Sequence, residues 1–242
     1  MNGWRARLGF LVPAGTPTAE DEMFALAPAG VGVHFERMVG HGATGTLEGL
    51  EARIATQVEH LPASFRLLAQ VKPQVIALAH TATSYHLGKD GEAAMKARLE
   101  EPGGPRFTSA FASVIEALRV LGVRRVALAT PYDERLTLSG KTNLEAHGLE
   151  VVRFDWLRQV RSIFEEPPHR VHALARSVDT PEAEAIFLSG IGMPTVSVIQ
   201  EIEDDLGKPV ISSASAMMWN CLRLAGVSPS SVAGSGRLFE EK

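Results

Sequence analysis

The chain has 242 residues, a net charge of -4, and 21% charged against 45% hydrophobic residues, the balance of a globular protein large enough to bury a sizeable core. No Lys/Arg cluster with interleaved aromatics is present, which disfavours nucleic acid as a partner, and the single cysteine, Cys221, excludes an intrachain disulfide or a multi-cysteine zinc site. The first apolar run, residues 8–12 before Pro13, is far too short for a signal h-region or a membrane span, so a cytoplasmic protein with no membrane partner is the expectation.

Short apolar, β-branched runs at 7–12, 31–38, 75–79, 125–130, 149–154, 185–189 and 210–212 predict strands. Amphipathic stretches lie between them at 47–70, expected to break near Pro62, and at 109–122 and 195–207; Gly122 and Gly207 stand where left-handed C-caps belong. A further helix is expected at 217–226, where the spacing of Trp219, Cys221 and Leu222 puts the thiol in a core. Strands alternating with helices predict an α/β protein with mainly parallel sheets flanked by helices. The order also occurs twice. LGFLVP from Leu8 parallels VALATPY from Val126, and VIALAHT from Val75 parallels AIFLSGI from Ala185. Two pseudo-symmetric lobes follow, 1–122 and 123–242, with a cleft between them and the helix that ends the first lobe free to cross to the second.

In parallel α/β sheets ligands bind beyond the carboxyl ends of the strands. That rule gathers VPAGTPT (12–18), HTATSY (80–85), TPYD (130–133), SGIGMPT (189–195) and SSAS (212–215) at one rim, a set of neutral donors suited to a small carboxylate. The eight histidines include no i, i+4 pair; His169 and His172, in a loop or helix start, have no third partner by spacing, so no metal site is expected. VPAGTPT lacks the GxGxxG spacing and no Walker lysine motif occurs, which disfavours a nucleotide.

Seven segments carry a resemblance that runs over nearly the whole chain: LGFLVP, VIALAHTATS, GVRRVALATPY, FLSGIGMPT, LGKPVISS, WNCLRLAGV and GRLF. Together they resemble the aspartate/glutamate racemase superfamily, in particular its maleate isomerase and arylmalonate decarboxylase branch. The resemblance implies an enzyme without metal or cofactor, a lyase or isomerase acting at the carbon next to a carboxylate of a small organic acid. Racemases of this kind set one cysteine from each lobe on opposite faces of that carbon. Maleate isomerase-like members add one cysteine to the double bond of a cis-dicarboxylate, and arylmalonate decarboxylases protonate a carbanion with a single second-lobe cysteine. In this chain the first-lobe position corresponds to His80 and the second to Gly190, so the thiol mechanism does not carry over. The loss at Gly190 is expected to enlarge that side of the cleft.

What the resemblance implies for the site is catalysis by His80 and Tyr132, with substrate contacts from Pro13, Thr16, Thr81, Ser84, Gly190 and Ile191. Thr16 stands where many relatives carry Asn, and Ala82 where decarboxylases offer a serine. Gly190 and Gly192 would bring backbone N–H groups close to a ligand. The residues themselves leave alternatives: Thr81 and Ser84 could cap the following helix, and Tyr132 could pack its ring under a loop. An unperturbed imidazole titrates at ~6.5, which suits His80 to acid/base work near neutrality, although a histidine there could simply donate a hydrogen bond to a carbonyl or to a bound carboxylate. His86 is expected to face solvent. The competing function is a non-catalytic binder of small carboxylates. No pattern on the exposed faces marks an interface, leaving a homo-oligomer open.

Overall fold

Runs such as VIAL and AIFL have no polar face to offer water, and each becomes a strand buried along its whole length: β3 (Val75–Leu78) and β7 (Ala185–Leu188). They are central strands of two four-stranded parallel sheets in the computed structural model, which describes residues 3–41, 49–232 and 235–240. The first sheet also holds β1 (Ala6–Pro13), β2 (Val31–Met38) and β4 (Arg106–Ser109), in the order β2-β1-β3-β4. The second holds β5 (Arg125–Thr130), β6 (Glu150–Trp156) and β8 (Val210–Ser212), in the order β6-β5-β7-β8. The two orders are the same connectivity repeated, as the doubled sequence pattern requires.

The helices are α1 (Pro17–Leu26), α2 (Leu50–Leu68), α3 (Thr81–Leu99), α4 (Ala110–Val120), α5 (Glu134–Ala146), α6 (Pro168–Val178), α7 (Ile199–Leu206) and α8 (Ser213–Leu224). Local chemistry fixes their starts. The Ser109 hydroxyl accepts from Ala112 N at 2.9 Å and the Asp133 carboxylate from Leu136 N at 2.9 Å, while Ser212 and Ser215 close a reciprocal capping box on α8. Gly122 and Gly207 have φ of +70° and +69°, the left-handed termini expected of them.

Three departures from the sequence pattern have physical causes. β4 was not anticipated: it is four residues long and carries only Phe107 as a large apolar side chain, because its Thr108 and Ser109 belong to a buried polar cluster. The helix over 47–70 does not break at Pro62; α2 runs through it, with Leu61, Pro62, Phe65 and Leu68 buried, and its expected start at 47–48 lies outside the described residues. The stretch from Thr195 becomes helical only at Ile199, since the N–H groups of Thr195 and Val196 are taken by Glu22 of α1.

The lobes interlock. α4 packs on α8 and reaches β8, and α8 in turn packs against β3 and β4 of the first sheet. α3 meets α5, where Ser139 Oγ and Asn143 Nδ2 both donate to the carbonyl of Tyr85 at 3.2 Å. This joint brings the carboxyl ends of both sheets to one shared cleft.

Candidate active site

At those strand ends lies a cavity open to solvent. Pro13 ends β1 and Thr16 follows it, His80 follows β3, Tyr132 follows β5 and Ile191 follows β7, and all five line it. Thr16 is the N-cap residue of α1 but makes no side-chain capping bond, so the helix does not use its hydroxyl.

His80 is the N-cap residue of α3, with φ -152° and ψ 95°, and its side chain does not cap either. The ring Nδ1 instead pairs with Thr83 Oγ1 at 2.7 Å, leaving Nε2 as the nitrogen that can work on a ligand. Burial, and then the positive charge of Arg53, lowers the imidazole pKa from 6.5 to about 4. The positive end of the α3 dipole acts in the same direction. The expectation of titration near neutrality is thus corrected for the free protein: at pH 7 the ring is neutral.

Tyr132 is buried, and burial raises its phenol pKa further above the ordinary range, so it is a hydrogen-bond donor at any working pH. Its ring stands edge-on to Tyr85 with centroids 6.3 Å apart. Its hydroxyl lies over Gly190: a Cβ built there would be 3.2 Å from Tyr132 Oη and 2.9 Å from Pro131 Cγ, at a φ of +99°. The second-lobe position is therefore not enlarged by the missing side chain. Pro131 and the Tyr132 hydroxyl take that space, and a cysteine grafted at Gly190 would be strained.

Two other expected contacts are occupied by the protein itself. Thr81 Oγ1 donates to Ser213 Oγ at 2.9 Å, and Gly190 N–H donates to the same oxygen at 3.1 Å. The two residues form a buried bridge between lobes, because α8 brings Ser213 between the ends of β3 and β7. Ser84 is also placed elsewhere: it sits on the side of α3 turned toward β4, donating to Glu92 Oε1 at 2.6 Å, where Ser109 Oγ donates as well. Burial raises the Glu92 pKa, opposed by these two hydroxyls. Neither Thr81 nor Ser84 caps α3. His86 is exposed, as expected.

Residues not singled out in the sequence complete the walls. Leu50, Ile163 and Phe164 join the expected Ile191 in an apolar side, and the Phe164 ring packs over Gly192, where its Cε1 would lie 2.7 Å from an added Cβ. Opposite in character are Arg53 and Gln57 of α2, 7% and 3% exposed, which also line the cavity. Tyr85, hydrogen-bonded to Ser189 at 2.7 Å, backs Tyr132 from behind. Among the described residues no group of three or more His, Cys, Asp or Glu side chains could hold a metal ion, and no helix is long and apolar enough to cross a membrane.

The profile of the arylmalonate decarboxylase family matches residues 34–239. The chain belongs to this family. Arylmalonate decarboxylase of Bordetella bronchiseptica is 33% identical over 81% of the chain and 82% of the relative. Maleate isomerase of Nocardia farcinica is 33% identical over 97% of the chain and 96% of the relative. Among solved structures, the Nocardia farcinica maleate cis-trans isomerase with a covalently bound succinylcysteine intermediate superposes with a TM-score of 0.87 at 27% identity, covering 98% of this chain and 99% of that one. A crystal structure of arylmalonate decarboxylase superposes at 0.76 with 28% identity, covering 98% and 100%.

This member of the arylmalonate decarboxylase family is an enzyme of the decarboxylase or isomerase kind, and it differs from the succinylcysteine-forming relative in having no cysteine at the cavity. Cys221 is fully buried in α8, and burial raises its thiol pKa above the ordinary range. If the Tyr132 hydroxyl donates to a carboxylate in the cavity, Tyr132→Phe weakens diacid binding by about 0.5 to 3 kcal/mol, the span from neutral to charge-assisted hydrogen bonds. Calorimetry checks this, and unchanged affinity would reduce Tyr132 to packing.

Proposed function

We propose that this enzyme acts without a thiol at the carbon next to a carboxylate of a small diacid, decarboxylating it, with His80 as the proton-transfer group. The observation that supports this reading is one cavity combining the His80 imidazole, the Tyr132 phenol and the Arg53 cation without a cysteine. Thiol addition to a double bond has no equivalent nucleophile here. Racemisation needs an acid/base group on each face of the carbon, and Gly190 supplies none. Decarboxylation followed by protonation needs only one.

In this mechanism the retained carboxylate rests against the Tyr132 hydroxyl and the N–H groups of Thr81 and Ala82, which open α3 before its i→i−4 bonding begins, the Thr83 N–H being taken by the His80 carbonyl at 3.2 Å. The bond from the α carbon to the second carboxyl carbon breaks heterolytically and carbon dioxide leaves. Its electron pair stays on the α carbon and delocalises into the retained carboxylate as an enediolate. His80 Nε2–H then supplies the proton that forms the new C–H bond, and solvent reprotonates the ring. The apolar side formed by Leu50, Ile163, Phe164 and Ile191 takes the substituent and keeps water from the carbanion. A ring with a pKa of about 4 carries few protons at pH 7, but a bound dianion favours the imidazolium. Substrate binding therefore draws a proton onto His80.

The test is carbon dioxide release from 2-substituted malonates by the parent protein, by Cys221→Ala and after iodoacetamide treatment. Turnover is expected to survive both changes. Loss of turnover in folded Cys221→Ala would restore a thiol mechanism, and tight malonate binding with no carbon dioxide from any of the series would favour the non-catalytic binder.

A further inference from the structure

Thr83 stands three residues after His80, the N-cap residue of α3, which is the spacing of a capping box, yet its hydroxyl goes to the imidazole. Oγ1 meets Nδ1 at 2.7 Å while the Thr83 N–H donates to the His80 carbonyl at 3.2 Å, so the first turn of the helix grips the histidine at two points. Thr83 is fully buried, and Nδ1 is the one partner its hydroxyl has among the described residues. A hydroxyl carries a single hydrogen. If Nδ1 held the ring hydrogen, Thr83 could only accept, and its own hydrogen would be buried without an acceptor, which is costly. If Nδ1 is bare, the hydroxyl donates to it and both groups are satisfied. The neutral ring then carries its hydrogen on Nε2, the nitrogen that this contact leaves for the cavity His80 lines.

We propose that Thr83 is the positioning residue of the proton donor: its hydroxyl donates to Nδ1 in the resting enzyme and holds His80 as the Nε2–H tautomer. This rests on the reading of His80 as the proton-transfer group, and goes beyond it by naming the residue that decides which nitrogen serves. When a bound dianion draws a proton onto the ring, that proton goes to Nδ1, and the hydroxyl turns about its Cβ–Oγ1 bond to accept from it. The Nε2–H bond then breaks toward the carbanion, its electron pair stays on Nε2, and solvent returns a proton to the same atom. Thr83 engages Nδ1 in the resting, charged and spent forms alike, so the ring cannot turn its working nitrogen away. Thr83 itself touches no reacting atom and acts only through His80.

The experiment joins nitrogen NMR of histidine-labelled protein to the kinetics of Thr83→Val, which keeps the side-chain shape, and Thr83→Ser, which keeps the hydroxyl. At pH 7 the free ring is neutral, so the parent spectrum is expected to show His80 as a single tautomer with its hydrogen on Nε2. That measurement needs no variant. Thr83→Val should show both tautomers and lower kcat for carbon dioxide release from a 2-substituted malonate by at least ~5-fold, the net effect of one hydrogen bond, with KM near the parental value. Thr83→Ser should restore both the tautomer and the rate. A parent ring with its hydrogen on Nδ1, or a Thr83→Val ring still confined to Nε2–H, overturns the proposal. A rate loss that Thr83→Ser shares also overturns it, since packing would then be the role of Thr83. If Thr83→Val releases the tautomer while kcat stays parental, the tautomer lock stands and the reading of His80 as the acid fails instead.

Discussion

Replacing His80 with Asn is expected to lower kcat by at least ~10²-fold while diacid affinity stays near the parental value, the usual separation when a general acid is removed and binding groups remain. Asn keeps a polar side chain that can still meet Thr83, so the loss reports chemistry. The pH profiles sharpen the test. The acid form of His80 is the active one, and in the free enzyme its pKa is about 4. The profile of kcat/KM reports the free enzyme and should fall from about pH 4 upward, whereas kcat reports the complex, in which the bound dianion moves the same limb to higher pH. Steady-state rates from pH 4 to 9 check both limbs. A His80→Asn variant with the parental rate and an unchanged profile would make the histidine a binding or structural group.

The second large effect concerns stability. Glu22 of α1 reaches across to the second lobe, where its Oε1 accepts from Thr195 N at 2.5 Å, Val196 N at 2.7 Å and Thr195 Oγ1 at 3.3 Å, while Oε2 is buried without a partner among the described residues. Burial outweighs these three donors and raises its pKa from 4.5 to about 7. A raised acid pKa means that the folded state holds the proton over a range where the unfolded chain has lost it. The group's contribution is complete below pH 4.5, falls as pH rises to about 7, and is absent above that. The interval of about 2.5 pH units corresponds to about 3 kcal/mol. His80, lowered from 6.5 to about 4, acts oppositely, since stability is lost as pH falls through that window. The contribution of Glu22 therefore has to be read as a difference. Glu22→Gln, which cannot ionise, should gain about 3 kcal/mol on the parent between pH 4.5 and 8, measured by urea unfolding at several pH values. Parallel stability curves for the two proteins would mean that Glu22 ionises normally and that the lobe contact does not depend on its proton.

The sheets were legible because β1, β3, β5 and β7 are apolar runs buried on both faces, and because the pattern repeats. The weaker elements carried other duties. β4 gives Thr108 and Ser109 to polar contacts with Ser113, Asn220 and Glu92, so it never reads as an apolar run. α3 opens with TATSYHLG, is interrupted at Gly88, where φ is +68°, and presents no continuous apolar stripe. In the site, strand-end residues such as Pro13, His80 and Tyr132 were readable from topology and resemblance. Arg53 and Gln57 were not, because in LEARIATQVEH they look like the solvated face of an amphipathic helix; only the approach of the strand ends and the Ile163–Phe164 segment turns that face into a cavity wall. Thr81 and Gly190 were read as ligand donors because their shared partner, Ser213, is 132 residues from one and 23 from the other.

The central claim is that a single proton donor, His80, works on one face of the α carbon while Gly190 leaves the other face without one. The most direct measurement is turnover in deuterium oxide of a 2,2-disubstituted malonate whose product carbon is a stereocentre, with the product analysed for label and handedness. The account predicts one deuterium at the α carbon and one enantiomer in large excess, with the excess lost in His80→Asn along with the rate. Racemic product from the parent enzyme, or undiminished stereoselective turnover in His80→Asn, would contradict it.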